Sequence, residues 1–316
     1  MFSLHKPERT DRIGNMVMDS NEVIIEQHVD EEAAGKRLSS FLRRDMGISG
    51  ACIRRSKTMD MIFVNDIPVH TNYILSAGEN VKISVSDKET PSEIHPVDLD
   101  LDIIYEDDYM IAVDKQSGIL CHPIMNVDRD SVANGLKYLH PEMGIHPVSR
   151  LDRETTGIVL FAKNSIVHHK MTKTDKQKIY IGMVLGTPSP SEGTINLPIG
   201  RAPDTIMLRR CDPEGQPSVT HYKILRSYGG ASVVQFILET GRTHQIRVHC
   251  REMGFPIIHD GLYGTVSIYD AFISRQALHS YSMSFIHPFT KEKIELVASL
   301  HKDMKDLEES IKNLQE

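Results

Sequence analysis

The chain has 316 residues, a length that accommodates two domains of ~150 residues each. Hydrophobic residues make up 40% and charged residues 25%, which excludes a wholly disordered, collagen-like or coiled-coil chain. A net charge of −7 argues against a protein coated in positive charge, although a local basic groove depends on the field at the contact patch, not on the sum. No apolar run approaches the ~20 residues of a membrane-spanning helix. Residues 1–20 resemble neither a signal peptide nor an anchor, so a cytoplasmic protein with no membrane partner is expected. Cys52, Cys121, Cys211 and Cys250 include no Cys-x-x-Cys pair, which argues against a thiolate zinc site and for reduced thiols.

In chain order, residues 1–21 lack periodicity and read as a flexible leader. A short strand over 23–25 opens the ordered part. From 33 to 45, Ala34, Leu38, Phe41 and Leu42 recur at helical spacing, and Gly47 ends the helix. Ser49 reads as the N-cap of a second short helix carrying Ile53, Arg54, Arg55 and Lys57. A strand over 61–64 enters a turn at Asn65-Asp66, and a closing strand covers 81–85. Residues 89–97, proline-containing with little to bury, form a linker between a small α/β module at 22–88 and a larger domain at 98–300. In the larger domain strands are expected over 102–105, 110–114, 157–162, 179–185 and 232–238. A helix over 243–253 follows, capped by Thr243 and stopped by Gly254, with Ile246, Cys250 and Met253 on its apolar face. Strands with few helices and no regular alternation predict an α+β catalytic domain with a mainly antiparallel mixed sheet. Residues 301–316 form a helical tail with Leu307, Ile311 and Leu314 at helical spacing.

Two polar clusters carry potential chemistry. In the first, Arg150-Leu151-Asp152-Arg153 leads through Thr155-Thr156-Gly157 into an apolar strand. A carboxylate between arginines can stay ionised and serve as nucleophile or base, while the same residues also suit a solvated turn. In the second, Gly241-Arg242-Thr243-His244-Gln245-Ile246-Arg247 places an arginine on a helix, where its fixed fork suits a carboxylate or phosphate. A basic, solvated helix end is the competing reading.

Together with Asp114-Lys115-Gln116-Ser117-Gly118, Lys178-Ile179-Tyr180, residues 256–264 and Arg275-Gln276-Ala277-Leu278-His279, these clusters resemble the RluA/RluD-type family of RNA pseudouridine synthases. The similarity spans about 101–288, with the motifs in the family's order. It departs at Gln116, Ser149 and His259, where the family usually has Pro, His and Gly. The resemblance implies Asp152 as the catalytic residue, Tyr180 against the target base, Arg247 paired with Asp152, Ile246 as pocket wall, and Arg150 and Arg242 in the substrate pocket. Residues 22–88 are similar to an S4-type RNA-binding domain, whose Arg37, Arg54, Arg55 and Lys57 would face RNA phosphates.

The expected function is therefore isomerisation of specific uridines in structured RNA, large-subunit ribosomal RNA more than transfer RNA, by a cofactor-free monomer. A catalytically degenerate RNA-binding assembly factor is the alternative. A metal-dependent hydrolase would need clustered histidines. The spacing of His244 and His249 puts them on different sides of a helix, and His122, His279 and His287 read as structural, so no metal is expected.

Overall fold

The computed structural model describes residues 16–19, 22–86, 94–124, 130–203, 205 and 207–314. The chain forms two compact units. In the first, β1 (Met16–Asp19), β2 (Glu22–His28), α1 (Leu38–Arg44), α2 (Gly50–Thr58), β3 (Ile62–Val64), β4 (Ile67–Pro68) and β5 (Asn80–Ser86) follow one another. The strands pair antiparallel in the order β1-β2-β5-β3-β4. Asn65 and Asp66 both have positive φ, 50° and 61°, as the tight hairpin between β3 and β4 requires. Ser49 caps α2, its Oγ accepting from the Cys52 N–H at 3.1 Å, and Phe41, Leu42, Cys52 and Ile53 bury against Ile62, Val81 and Ile83.

Three expectations change here. The first helix starts at Leu38 rather than near 33, because residues 35–39 are bonded to residues 71–75 instead of to each other. Gly35 N–H donates to Leu75, Leu38 N–H to Tyr73, and Ser39 N–H to Thr71. Ala34 is exposed. Within the stretch read as a leader, Met16–Asp19 form a strand, whereas 1–15 lie outside the described residues. Of the linker, 87–93 lie outside the described residues, but Ile94 is buried and the His95 carbonyl accepts from Asn134 Nδ2, so the second unit begins there.

The remaining elements are β6 (Asp102–Glu106), β7 (Met110–Lys115), α3 (Val132–Leu139), β8 (His146–Pro147), β9 (Thr156–Ala162), α4 (Ser165–Lys173), β10 (Lys176–Leu185), β11 (Glu192–Asn196), β12 (Ile199–Arg201), β13 (Arg209–Cys211), β14 (Val219–Tyr228), β15 (Ala231–Leu238), α5 (Gln245–Glu252), β16 (Leu278–Ile286), β17 (Lys293–Val297) and α6 (Lys302–Asn313). Helix α4 groups with the first unit, where Ile166 joins the core, although its sequence position lies in the expected catalytic domain. The other strands, β12 and β13 apart, build a ten-stranded sheet along the path β11-β14-β15-β10-β16-β9-β7-β6, with β17 on β16 and β8 on β9, while β12 and β13 pair with each other. Its pairings are antiparallel from β11 to β16, and parallel where β16 meets β9. This is the mainly antiparallel mixed sheet expected.

Met183, Val184, Val233, Phe236 and Ile258 form the core beside this sheet, together with Met304, Leu307 and Ile311 of α6. The C-terminal helix is thus part of the second unit, not a tail, and Leu314 lies off its buried face. Met253 is likewise exposed, so the buried face of α5 is carried by Ile246, Val248 and Cys250. Among the described residues no helix is long and apolar enough to cross a membrane. All four cysteines are free.

Two irregularities at the sheet centre shape the cleft above it. The β10–β16 register shifts between Ile179 and Tyr180, a bulge that re-aims the tyrosine. Where β9 meets β16, Gly157 has φ +102° and a Cβ there would lie 2.3 Å from the Ser280 carbonyl oxygen. Only glycine permits that approach. Gly157→Ala should therefore cost at least ~2 kcal/mol in chemical denaturation, by strained backbone and overpacking together. An unchanged unfolding midpoint would show that the strand pair can part without loss.

Candidate active site

Asp152 sits on the loop that precedes β9, and that loop is fastened from below by the first sequence motif. Lys115, at the end of β7 and fully buried, donates from Nζ to the carbonyls of Gln116, Ile119 and Arg153 at 2.9, 2.9 and 2.7 Å. Burial pushes its pKa down to about 8, because the surrounding carbonyls replace water only in part. Leu151 N–H donates to Cys121 Sγ at 3.1 Å, and Ser117 Oγ donates to Glu154 at 2.6 Å. Thr155 N–H closes the turn onto the Asp152 carbonyl. The backbone around Asp152 is fixed on both sides of the carboxylate.

Helix α5 delivers the partner. Arg247 Nη1 donates to Asp152 Oδ2 at 2.7 Å, the pairing the sequence implied. The rest of the fork is taken by a second carboxylate: Nε and Nη2 donate to the two oxygens of Asp260, each at 2.7 Å. Arg247 is 5% exposed, Asp260 0% and Asp152 27%, so the bidentate pair is dry while Asp152 reaches solvent. Burial would raise the Asp260 carboxyl, but Arg247 and the Leu262 and Tyr263 N–H donors outweigh it and hold it below the usual range. Burial also works against the Arg247 cation, and the two carboxylates more than offset it.

The cleft beside Asp152 is lined by Arg150, Tyr180, Leu238, Arg242, His244, Ile246 and Leu278, among others, and Asp152 is the one carboxylate among its lining residues. Arg150 and Arg242 are exposed at it, and Ile246 is buried in its wall. Arg242 is steadied by its N–H to Gln245 Oε1 at 3.0 Å and by Nε to the Pro217 carbonyl at 3.2 Å. Burial pushes the Tyr180 hydroxyl up to about 12, with the Asp152 charge adding to it. At neutral pH that ring is a neutral surface.

From the sequence, His244 and Asp260 are weighed only as metal ligands, and no role beside Asp152 is assigned to them or to Tyr263. An arginine fork with one carboxylate leaves donors unsatisfied when buried, and that demand for a second acceptor was the available signal. His244, not Thr243, is the N-cap of α5; it adopts φ 59° and makes no side-chain bond to the helix. Its Nδ1 lies 2.7 Å from the Tyr263 hydroxyl and its Nε2 3.7 Å from Asp152 Oδ1. The Tyr263 ring also stacks under Arg247, 5.2 Å from the guanidinium carbon.

The departures from the family pattern fit locally. Ser149 is buried, with Oγ accepting from the Leu160 N–H at 3.0 Å, and Gln116 serves Lys115 through its backbone. His259 has φ +55°, the left-handed conformation for which glycine is the ordinary choice.

On the first unit, Arg37, Arg54 and Lys57 are exposed, but Arg55 is half-buried with Nη2 on Cys52 Sγ at 3.6 Å, so it leaves the expected basic face. Arg43 joins that face instead: a Cβ at Gly50 would meet Arg43 Nη2 at 3.4 Å and Arg54 Nη1 at 3.7 Å.

Of the pair His244 and His249, His249 is buried with Nδ1 on Thr220 and Nε2 on the Leu197 carbonyl. The described residues do hold one compact group, Asp114, His279 and His301. Its donors are already engaged. His279 bonds Thr156 Oγ1 and the Ala298 carbonyl, and His301 Nε2 bonds Asp114 at 2.9 Å.

The profile of the family described as RNA pseudouridylate synthase matches residues 109–252. The chain is 34% identical to the ribosomal large subunit pseudouridine synthase D of Buchnera aphidicola subsp. Schizaphis graminum, across 87% of this chain and 93% of that protein. It is 33% identical to the ribosomal large subunit pseudouridine synthase C of Vibrio cholerae, across 86% and 92%. Among solved structures it resembles human RNA pseudouridylate synthase domain containing 1, at 25% identity and a TM-score of 0.53, covering 64% of this chain and 84% of that one.

The Arg247–Asp260 pair has a measurable signature. Asp260→Asn removes a buried cation's best partner and should cost ~3 kcal/mol or more in denaturant unfolding at neutral pH. Because Asp260 is held below its ordinary value, its contribution is complete above ~pH 4 and is lost as pH falls through the folded value. The stability gap between wild type and variant should therefore narrow in acid. A gap that is small at neutral pH, or that widens in acid, contradicts the pairing.

Proposed function

The chain belongs to the RluA-type family of RNA pseudouridine synthases and is an RNA-modifying isomerase; from that premise we propose that it converts uridines of large-subunit ribosomal RNA, with Asp152 initiating the reaction. The observation that carries the assignment is a single carboxylate facing the cleft, with one oxygen held at 2.7 Å by an arginine that a second carboxylate locks in place. In the reaction the N1–C1′ bond breaks, the uracil turns, and a C5–C1′ bond forms while C5 gives up a proton and N1 gains one. Nothing is oxidised and no group leaves the nucleotide, so the chemistry calls for no cofactor. Asp152 acts on the sugar or base as nucleophile or base. Tyr180 offers its ring face to the detached uracil, since its hydroxyl stays protonated at neutral pH. Ile246 closes the wall behind it. Extruding the uridine costs a few kcal/mol, and Arg150, exposed two residues before Asp152, is placed to fill the vacated stack.

The ribosomal target is supported by the names of the D and C relatives. A monomer and, with a ribosomal target, a cytoplasmic location complete this reading. The first unit is read as an S4-like RNA-binding domain: Arg37, Arg43, Arg54 and Lys57 are exposed on or beside its two short helices, and Arg43 and Arg54 come together near Gly50, which suits contacts to phosphates.

Asp152→Asn keeps the side-chain volume and should abolish pseudouridine formation while folding and RNA affinity stay close to wild type. Turnover by an uncontaminated preparation sinks the assignment, and mapping pseudouridines in total RNA with and without the gene tests the ribosomal target. For the first unit, replacing Arg37, Arg54 and Lys57 together by Gln should lower the slope of log affinity against log salt by about one per lost contact. An unchanged slope removes this face from RNA binding.

A further inference from the structure

We propose that His244 is a positioning residue for Asp152, directing its Nε2–H at the carboxylate oxygen that Arg247 leaves free. The inference rests on the reading of Asp152 as the initiating group. The backbone at His244 adopts a conformation that costs the chain something. The residue occupies the left-handed region, φ 59°, at the N-cap of α5, where Ser, Thr, Asp or Asn would cap the helix with its side chain. The imidazole makes no such bond. It is turned away from the helix, towards Tyr263 and Asp152.

The tautomer follows from counting protons. The Tyr263 hydroxyl oxygen accepts the Arg209 backbone N–H at 2.9 Å, leaving its own proton to donate. Among the described residues the partner for that proton is His244 Nδ1, 2.7 Å away. Burial raises the Tyr263 hydroxyl, so the proton stays on oxygen. Nδ1 is then an acceptor, and a neutral imidazole carries its hydrogen on Nε2. The groups facing the ring are Asp152, Asp260, Arg247, Arg209 and Tyr263. Burial favours the neutral ring, Arg247 and Arg209 add to that, and the two carboxylates oppose it without prevailing.

The Nε2–H thus points into the cleft, 3.7 Å from Asp152 Oδ1, while Arg247 holds Oδ2 at 2.7 Å. The first distance exceeds a hydrogen bond in the free protein, as is common for contacts that tighten only when substrate is bound. With both oxygens referenced, the carboxylate cannot swing about its Cβ–Cγ bond, and the plane it presents to the ribose is set. The relay from Arg209 through Tyr263 to His244 makes the orientation a property of the fold.

The competing account is that His244 merely staples Tyr263, and the test separates the two. His244→Asn suits the left-handed backbone but is too short to reach Asp152; His244→Gln can place an N–H near the Nε2 position. On one RNA under single-turnover conditions, His244→Asn should lower the rate constant by about 30-fold, with RNA affinity unchanged within about twofold. His244→Gln should recover about tenfold of that loss. Nitrogen-15 spectra of the wild-type protein, assigned by the signals missing in His244→Gln, should show the Nε2–H tautomer at neutral pH. Tyr263→Phe should turn that signal into a mixture. A wild-type rate for His244→Asn, a His244→Gln no faster than His244→Asn, or an Nδ1–H ring overturns the proposal, and the spectrum can be assigned from whichever His244 variant folds, so that an Nδ1–H ring refutes it even where the other variant misfolds. Asp152→Asn keeps the two readings apart: if it is active, the assignment of Asp152 fails, and if it is inactive while His244→Asn is fast, only the role of His244 fails.

Discussion

One guanidinium, that of Arg247, sets the electrostatics of the cleft by being shared. Its dry edge, Nε and Nη2, is given to Asp260, whose carboxylate is fully buried, and Nη1 alone is left for Asp152. Burying an arginine is expensive unless its donors are met, and Asp260 meets two of them with a nearly cancelling charge. Had Asp152 taken the bidentate edge, both its oxygens would have been engaged by the guanidinium and its charge more fully compensated. Sharing leaves Asp152 tethered through one oxygen and under-compensated in charge.

The same division of labour runs through the backbone. Lys115 spends a buried positive charge on three carbonyls of two loops, fixing the backbone next to Asp152 while Arg247 holds its side chain. Gly157 lets β9 close on β16 at a distance no side chain permits, and Tyr180 stands at the bulge where β10 meets the other edge of β16. Three motifs far apart in sequence therefore converge because β10, β16 and β9 are consecutive in the sheet. The site is an outcome of strand order, with loops carrying the chemistry and strands the tolerance.

What was legible in the sequence was local. Ser49 announces its cap, Asn65-Asp66 its hairpin, and the apolar runs of β7, β9, β10 and β15 their strands, since each signal lies within a few residues of its effect. The first helix was drawn too long because its N-terminal residues bond to 71–75, which no periodicity records. Helix α6 looked like a tail because its apolar stripe is short, yet Met304, Leu307 and Ile311 complete a core made elsewhere. In the site, Asp152, Tyr180 and Arg247 were reached through resemblance, while Asp260 and His244 were missed. Their partners lie 13 and 19 positions away across turns whose conformation the sequence does not spell out.

The protonation states in the cleft then narrow the chemistry. Tyr180 keeps its hydroxyl proton because burial pushes it up to about 12, and burial likewise keeps the His244 ring neutral. Arg150, Arg242 and Arg247 are cations and accept nothing. On the proposed reading, Asp152 is then the carboxylate, among the groups lining the cleft, to which a proton leaving carbon would go. If it opens the reaction at the sugar, it must be free again before C5 is deprotonated, and a monodentate tether to Arg247 allows both.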